Sequence, residues 1–146
     1  MNILIQRVKH ASVEVDNQCI AKIQQGLLVF VGLEKDDNES ILQKAIHKLL
    51  HYRIFNDELG KMNLNIQDIQ GELLVVSQFT LAAQTSKGLR PGFSSALHPD
   101  QSQPLFALLV ERIRQIYPKI QTGQFGADMQ VSLLNDGPVT FMLNFK

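Results

Sequence analysis

The sequence predicts an α+β fold, a mainly antiparallel sheet carrying two amphipathic helices. Three observations predict it. Near both ends of the chain the apolar residues alternate or run on unbroken, whereas two internal segments repeat with helical spacing. The order is strands, helix, strand, helix, strands, without the βαβα alternation of a doubly wound sheet. The 146 residues suit one domain, residues 1–146, with a single core.

The first third reads as strands: ILIQRV, then ASVEV, a DNQ turn, CIAKI, a QQG turn and GLLVFVGL. In ASVEV, Val13 and Val15 alternate with Ser12 and Glu14, the pattern of a half-buried strand. GLLVFVGL does not alternate, which places it at the centre of a sheet. From Asn38 the period changes. Ile41, Leu42, Ala45, Ile46, Leu49 and Leu50 mark one face of a helix behind the acidic start DDNES, ending before RIF. Residues 56–71 are polar and predict an irregular connection. GELLVVSQFTL is the next strand. Residues 82–101 have no sustained period and contain Gly88, Pro91, Gly92 and Pro99; so long a loop inside a compact domain points to function. A second helix follows, capped by Ser102 with Pro104 in its first turn, burying Leu105, Phe106, Leu109, Val110, Ile113 and Tyr117. Pro118 ends it. MQVSLL and VTFMLNF are the last strands, and NDGPVT between them has the composition of a hairpin turn. Pro138 is out of place there, because it gives a ladder no N–H. It is either the rigid exit of an ordinary turn or a sign that a backbone is held in a special shape.

Composition narrows the function. No apolar run approaches the roughly 20 residues of a membrane span, and the charged start MNILIQRVKHASV does not suit a signal peptide, so a cytoplasmic location is expected. Cys19 is the only cysteine; it can form no intrachain disulfide and is expected to be a buried, inert thiol. The formal net charge is zero, so any RNA contact must be small and local.

Several residues carry candidate chemistry. His47 and His51 have the spacing of a metal-binding helix, but HKLLH lacks the glutamate and a third ligand, which makes a solvated face the better reading and a metal site unexpected. SQFTL places Ser77, Gln78 and Thr80 at the end of an apolar strand. An ideal strand sends Ser77 and Thr80 to opposite faces and Ser77 and Phe79 to the same one, and no histidine follows at a fixed offset to act as base. Lys87 and Arg90, framed by glycines and a proline, suit a phosphate or plain solvation. Arg7 extends the face of Ile3 and Ile5, where a guanidinium needs fixed acceptors unless it snorkels to water.

Taken together, QRVKHASVEV, SQFTLAA, KGLRPGFSSA, FGADM and NDGPVT, in that order along nearly the whole chain, resemble the D-aminoacyl-tRNA deacylases. SQFTL and GPVT match that family's two signature motifs. The resemblance implies a barrel-like fold of that family and an enzyme that hydrolyses the ester between a D-amino acid and the terminal adenosine of tRNA. It implies a homodimer in which the glycine-proline pair of one subunit, here Gly137 and Pro138 with a cis peptide bond, enters the active site of the other. No side chain attacks in this reading: the N–H groups of Phe79 and Thr80 stabilise the oxyanion and the ribose 2′-OH assists water. Gln78 and Thr80 position, alongside Ser77. Arg7 orients the glycine-proline carbonyls, Met129 joins the substrate-binding set, and Lys87 and Arg90 are candidates for the tRNA acceptor end. No cofactor is implied. Glycine has no side chain to exclude, so glycyl-tRNA(Ala) is an expected second substrate. Two alternatives stand beside this reading: the sister deacylase that edits L-alanyl-tRNA, against which SQFTL argues, and a non-catalytic dimeric module that binds RNA ends.

Overall fold

The computed structural model describes residues 1–146. The first two expected strands are one, β1 (Asn2–Val15). Lys9 and His10, two successive exposed residues, mark where its alternation slips rather than where it turns. β2 (Gln18–Ile23) returns along the second half of β1 through Asp16 and Asn17, whose φ of 51° and 61° suit a two-residue hairpin loop. β3 (Gly26–Gly32) covers the first half of β1, also antiparallel.

Cys19 is exposed, not buried as expected. The reason is a bulge: Val13 pairs with Ala21 but Glu14 with Cys19, leaving Ile20 unpaired. Residues directly opposite share a face, so Cys19 follows the exposed Glu14 outward.

Beyond β3 the sheet is parallel. β6 (Glu72–Ser77) lies beside β3, and β7 (Ile120–Thr122) beside β6. Each connection carries a helix, α1 (Glu39–His51) and α2 (Pro99–Ile116), because parallel neighbours need a crossover. β8 (Gln130–Asn144) runs antiparallel along the free side of β1. With β2 curling towards β6 and β7, the mixed sheet nearly closes into a barrel. The unbroken apolar run of β3 now has its cause, since its two faces serve two cores. Leu27, Val29 and Val31 pack with Leu73 and Val75 beneath the helices; Leu28 packs with Leu74, Val76, Val8 and Val13 on the other side.

α1 matches expectation at its start and on its buried face. Asn38 caps it, its Oδ1 accepting from the N–H groups of Ser40 at 3.0 Å and Ile41 at 3.3 Å. His47 and His51 are exposed, with rings stacked 4.4 Å apart. In the segment expected to be irregular, β4 (Phe55–Asn56) and β5 (Met62–Leu64) form a small hairpin. Asp57 closes it. Its carboxylate accepts from Asn63, Lys61 and Leu59, and these bonds hold its pKa below the usual value.

α2 begins earlier than its sequence suggests. His98 is the cap and Pro99 the first helical residue, so Ser102 lies buried inside the first turn with its hydroxyl donating to the Pro99 carbonyl. Pro104 falls one turn further on, in the helix proper and on its exposed side. No helix is long and apolar enough to cross a membrane.

Candidate active site

The strand expected over GELLVVSQFTL stops at Ser77. Gln78 N–H makes one more bond, to the Val31 carbonyl at 2.7 Å, and the chain then closes a 3₁₀ turn over Phe79–Ala82. Gly32 permits this, because a Cβ there would meet Gln78 O at 2.9 Å and Leu81 Cβ at 2.8 Å. The strand geometry that put Ser77 and Thr80 on opposite faces therefore does not apply. As the first two residues of a helical turn, Phe79 and Thr80 have N–H groups with no acceptor inside it, and Gln78 offers no side-chain cap. The Gln78 amide is engaged elsewhere, donating to Thr80 Oγ1 at 2.6 Å.

Beyond the carboxyl ends of β3 and β6 lies a cavity of about 650 Å³. Ser77, Gln78, Phe79 and Met129 all border it, so the structure brings four predicted residues together from two distant segments. Its lining is mainly apolar. Phe79, 61 % exposed, stands 5.1 Å from the ring of Phe93, a wall residue that no sequence signal singles out. His98 borders the mouth as well, although no sequence offset pointed to it; its Nδ1 caps α2 and faces Asp100 Oδ2 at 3.3 Å. The wall is pinned from behind. The buried Met1 amine is held by Asp37 at 2.7 Å and Glu34 at 2.9 Å, and the loop carrying those carboxylates bonds to Ser95 through Lys35 N–H at 3.2 Å.

The other predicted residues stand apart from this cavity. MQVSLL and VTFMLNF do not pair with each other, as a hairpin would require, but both pair with β1. Gln6 faces Thr140 and Val8 faces Asn135, so two steps along β1 match five along β8, and the surplus bulges outward. Gly137 and Pro138 form the exposed crest, joined by a cis peptide bond. Neither borders the cavity of its own chain.

The crest is braced from beneath. Arg7 does not snorkel to water. Only 6 % exposed, it donates from Nε to the Asp136 carbonyl at 3.2 Å and from Nη1 to the Ile54 carbonyl at 2.8 Å, with Asp136 Oδ2 at 3.3 Å from Nε. Asn135 was legible only as a turn former. Its Nδ2 donates across the neck of the bulge to the carbonyls of Arg7 and Val139, both at 3.0 Å. Asp136 and Val139 carbonyls are thus tied inward, with Gly137 and Pro138 held out between them.

Lys87 and Arg90 come together in a third place, a separate polar concavity on the loop before Phe93.

A family model described as D-Tyr-tRNA(Tyr) deacylase matches residues 4–144. The chain belongs to this family. Membership makes it a hydrolytic enzyme, a deacylase. Among related deacylases, the D-aminoacyl-tRNA deacylase of Ectopseudomonas mendocina (strain ymp) is 57% identical over 143 residues, 98% of this chain and 99% of the relative. That of Shewanella frigidimarina (strain NCIMB 400) is 60% identical over 140 residues, 96% of this chain and 97% of the relative. The solved structure of a c-Myc DNA unwinding element binding protein superposes with a TM-score of 0.95 at 39% identity, covering 99% of this deacylase and 98% of its own chain. A second, described as a probable eukaryotic D-amino acid tRNA deacylase, shares the fold at a TM-score of 0.84 and 16% identity, covering 97% of each chain.

Proposed function

We propose that this deacylase hydrolyses the ester of D-aminoacyl-tRNA, releasing the D-amino acid and free tRNA, in a site that two copies of the chain build together. One observation supports it above the rest: the chain carries two complementary halves that do not meet. The first is an apolar cavity bordered by Phe79, whose N–H, like that of Thr80 next to it, has no acceptor within its turn; the second is a rigid crest that stands apart from the cavity. A second copy supplies the missing half of each.

The chemistry follows from the first half. Water, assisted by the ribose 2′-OH, attacks the ester carbonyl, and negative charge develops on its oxygen. N–H donors fixed before the reaction stabilise that charge without reorganising. The selectivity follows from the second half. A thousandfold preference for one enantiomer requires about 4 kcal/mol. An apolar pocket that senses one methylene supplies only about 1–3 kcal/mol. A backbone wall that accepts the substrate ammonium and leaves no space for an L side chain discriminates by exclusion instead. Arg7 and Asn135 supply the rigidity this needs. Glycyl-tRNA(Ala), whose aminoacyl group has no side chain to exclude, passes the same wall and is a second substrate.

Ser77, Gln78 and Thr80 position in this account. Thr80→Ala is expected to keep its rate within tenfold of wild type, since one lost hydrogen bond is worth about 1 kcal/mol. A loss of several decades, or an acyl group trapped on Thr80, contradicts the assignment. The reading as a whole is tested with purified protein and matched D- and L-tyrosyl-tRNA. Release of D-tyrosine alone is the expected result; equal release of both enantiomers, or of neither, overturns it.

A further inference from the structure

We infer that the hairpin between Gln84 and Gly92 is a phosphate-binding subsite for the RNA backbone of the acceptor end, with Arg90 and Lys87 as its cationic contacts. This rests on the reading of the substrate as an aminoacyl-tRNA, and it specifies how a protein without net charge holds one.

The hairpin is built as a site. Gln84 and Gly92 exchange backbone hydrogen bonds at 2.7 and 3.0 Å, closing the segment at its base. Within it Gln84, Ser86, Lys87, Arg90 and Gly92 line a concavity of about 390 Å³ with no apolar side chain. No acidic residue occurs between 84 and 92. The bonding of the arginines sets Arg90 apart. Arg7, Arg112 and Arg114 bond carboxylates and Arg53 bonds Asn63, whereas Arg90 has no partner, and neither has Lys87. Two unpaired cations beside an amide and a hydroxyl, with no anion of their own, suit a phosphodiester oxygen pair; the guanidinium fork matches it in two bonds.

Position selects RNA over a free anion. Gly92 is followed by Phe93, whose ring stands against Phe79 on the cavity wall. The concavity is therefore one residue along the chain from the place where the aminoacyl ester must lie. Leu89, wholly exposed at the hairpin tip between the two cations, adds an apolar contact of the kind a nucleobase accepts. The protein's formal net charge is zero, so a broad phosphate footprint is absent and a local one is required.

The test compares two substrates with the same ester. D-Tyrosyl-tRNA carries the phosphate backbone; D-tyrosyl-adenosine carries none. For the double variant Lys87→Ala/Arg90→Ala, kcat/KM on the tRNA is expected to fall at least tenfold more than on the adenosine ester, with the loss in KM. The slope of log(kcat/KM) against log[salt] on the tRNA should also shrink, by about 0.7 for each phosphate contact removed. Arg90→Lys should recover part of the loss. Inorganic phosphate at tens of millimolar that suppresses the wild-type and variant rates equally is a salt effect and counts against the site; suppression of the wild type alone supports it. Equal losses on both substrates, or an unaltered tRNA rate and salt slope, overturn the proposal. Wild-type protein inert on both substrates overturns the deacylase reading itself.

Discussion

Phe79→Pro is expected to hydrolyse D-tyrosyl-tRNA roughly 100- to 1,000-fold more slowly than Phe79→Ala, the usual effect of removing one oxyanion donor. Both variants lose the aromatic ring, so stacking cancels from the comparison. Only proline removes the N–H. The backbone tolerates it: Phe79 is the first residue of the 3₁₀ turn, where proline fits, and Gln78 before it, at φ −146° and ψ 83°, lies outside the α region that a following proline disfavours. The two variants should therefore melt within a few degrees of each other. The difference should lie in kcat, because the donor bonds an oxygen that is fully charged only in the transition state. Equal rates for the two variants would move the oxyanion away from this turn.

Gly137→Ala is expected to lower D-substrate hydrolysis by roughly two decades while the protein stays folded, the scale of loss that follows a misplacement of about 1 Å. Gly137 sits at φ +126°, and a Cβ there would lie 2.7 Å from Val139 Cγ2 and 3.1 Å from Arg7 Nη2. Relief requires the buried Val139 side chain to shift and Arg7 to give way slightly, which disturbs the bonds that both residues make to fix the crest. Strain of this kind costs about 1–3 kcal/mol, which lowers the melting temperature without unfolding the chain. Gly60→Ala is the control. Its φ of +76° also lies on the positive side that alanine disfavours, though nearer the left-handed region than +126°, and nothing lies within 4 Å of the added methyl, so it should lose some stability and keep its rate. A Gly137→Ala protein as active as Gly60→Ala contradicts the account.

The sequence carried most of the fold because its signals were local or periodic. The face of α1 repeats at helical spacing, and the unbroken run of β3, short and bounded by glycines, fits a strand covered on both sides. What escaped was set by partners far along the chain. Asn-Asp-Gly serves a hairpin or a bulge equally well; the choice here depends on β1, more than a hundred residues earlier, pairing with both flanks. The same holds for SQFTL, whose last residues leave the strand because Gly32 opens room for a turn. Cys19 surfaced through a one-residue bulge that composition does not reveal. Ser102 and Pro99 both suit a helix start, and the chain takes the earlier one. At the candidate site, Ser77, Gln78 and Phe79 could be singled out from their motif, whereas the places of Asn135, Phe93 and His98 depend on contacts that only the fold creates.

In the proposed dimer each active site takes its N–H donors from one subunit and its crest from the other. This division is tested most directly by mixing Phe79→Pro with Gly137→Ala under conditions where subunits exchange. Each alone should be nearly inactive. In an equal mixture about half the dimers are mixed, and each mixed dimer has one site whose two halves are both intact, so about a quarter of the wild-type rate should return. If mixed dimers demonstrably form and no activity returns, each chain uses its own crest and the composite site is wrong.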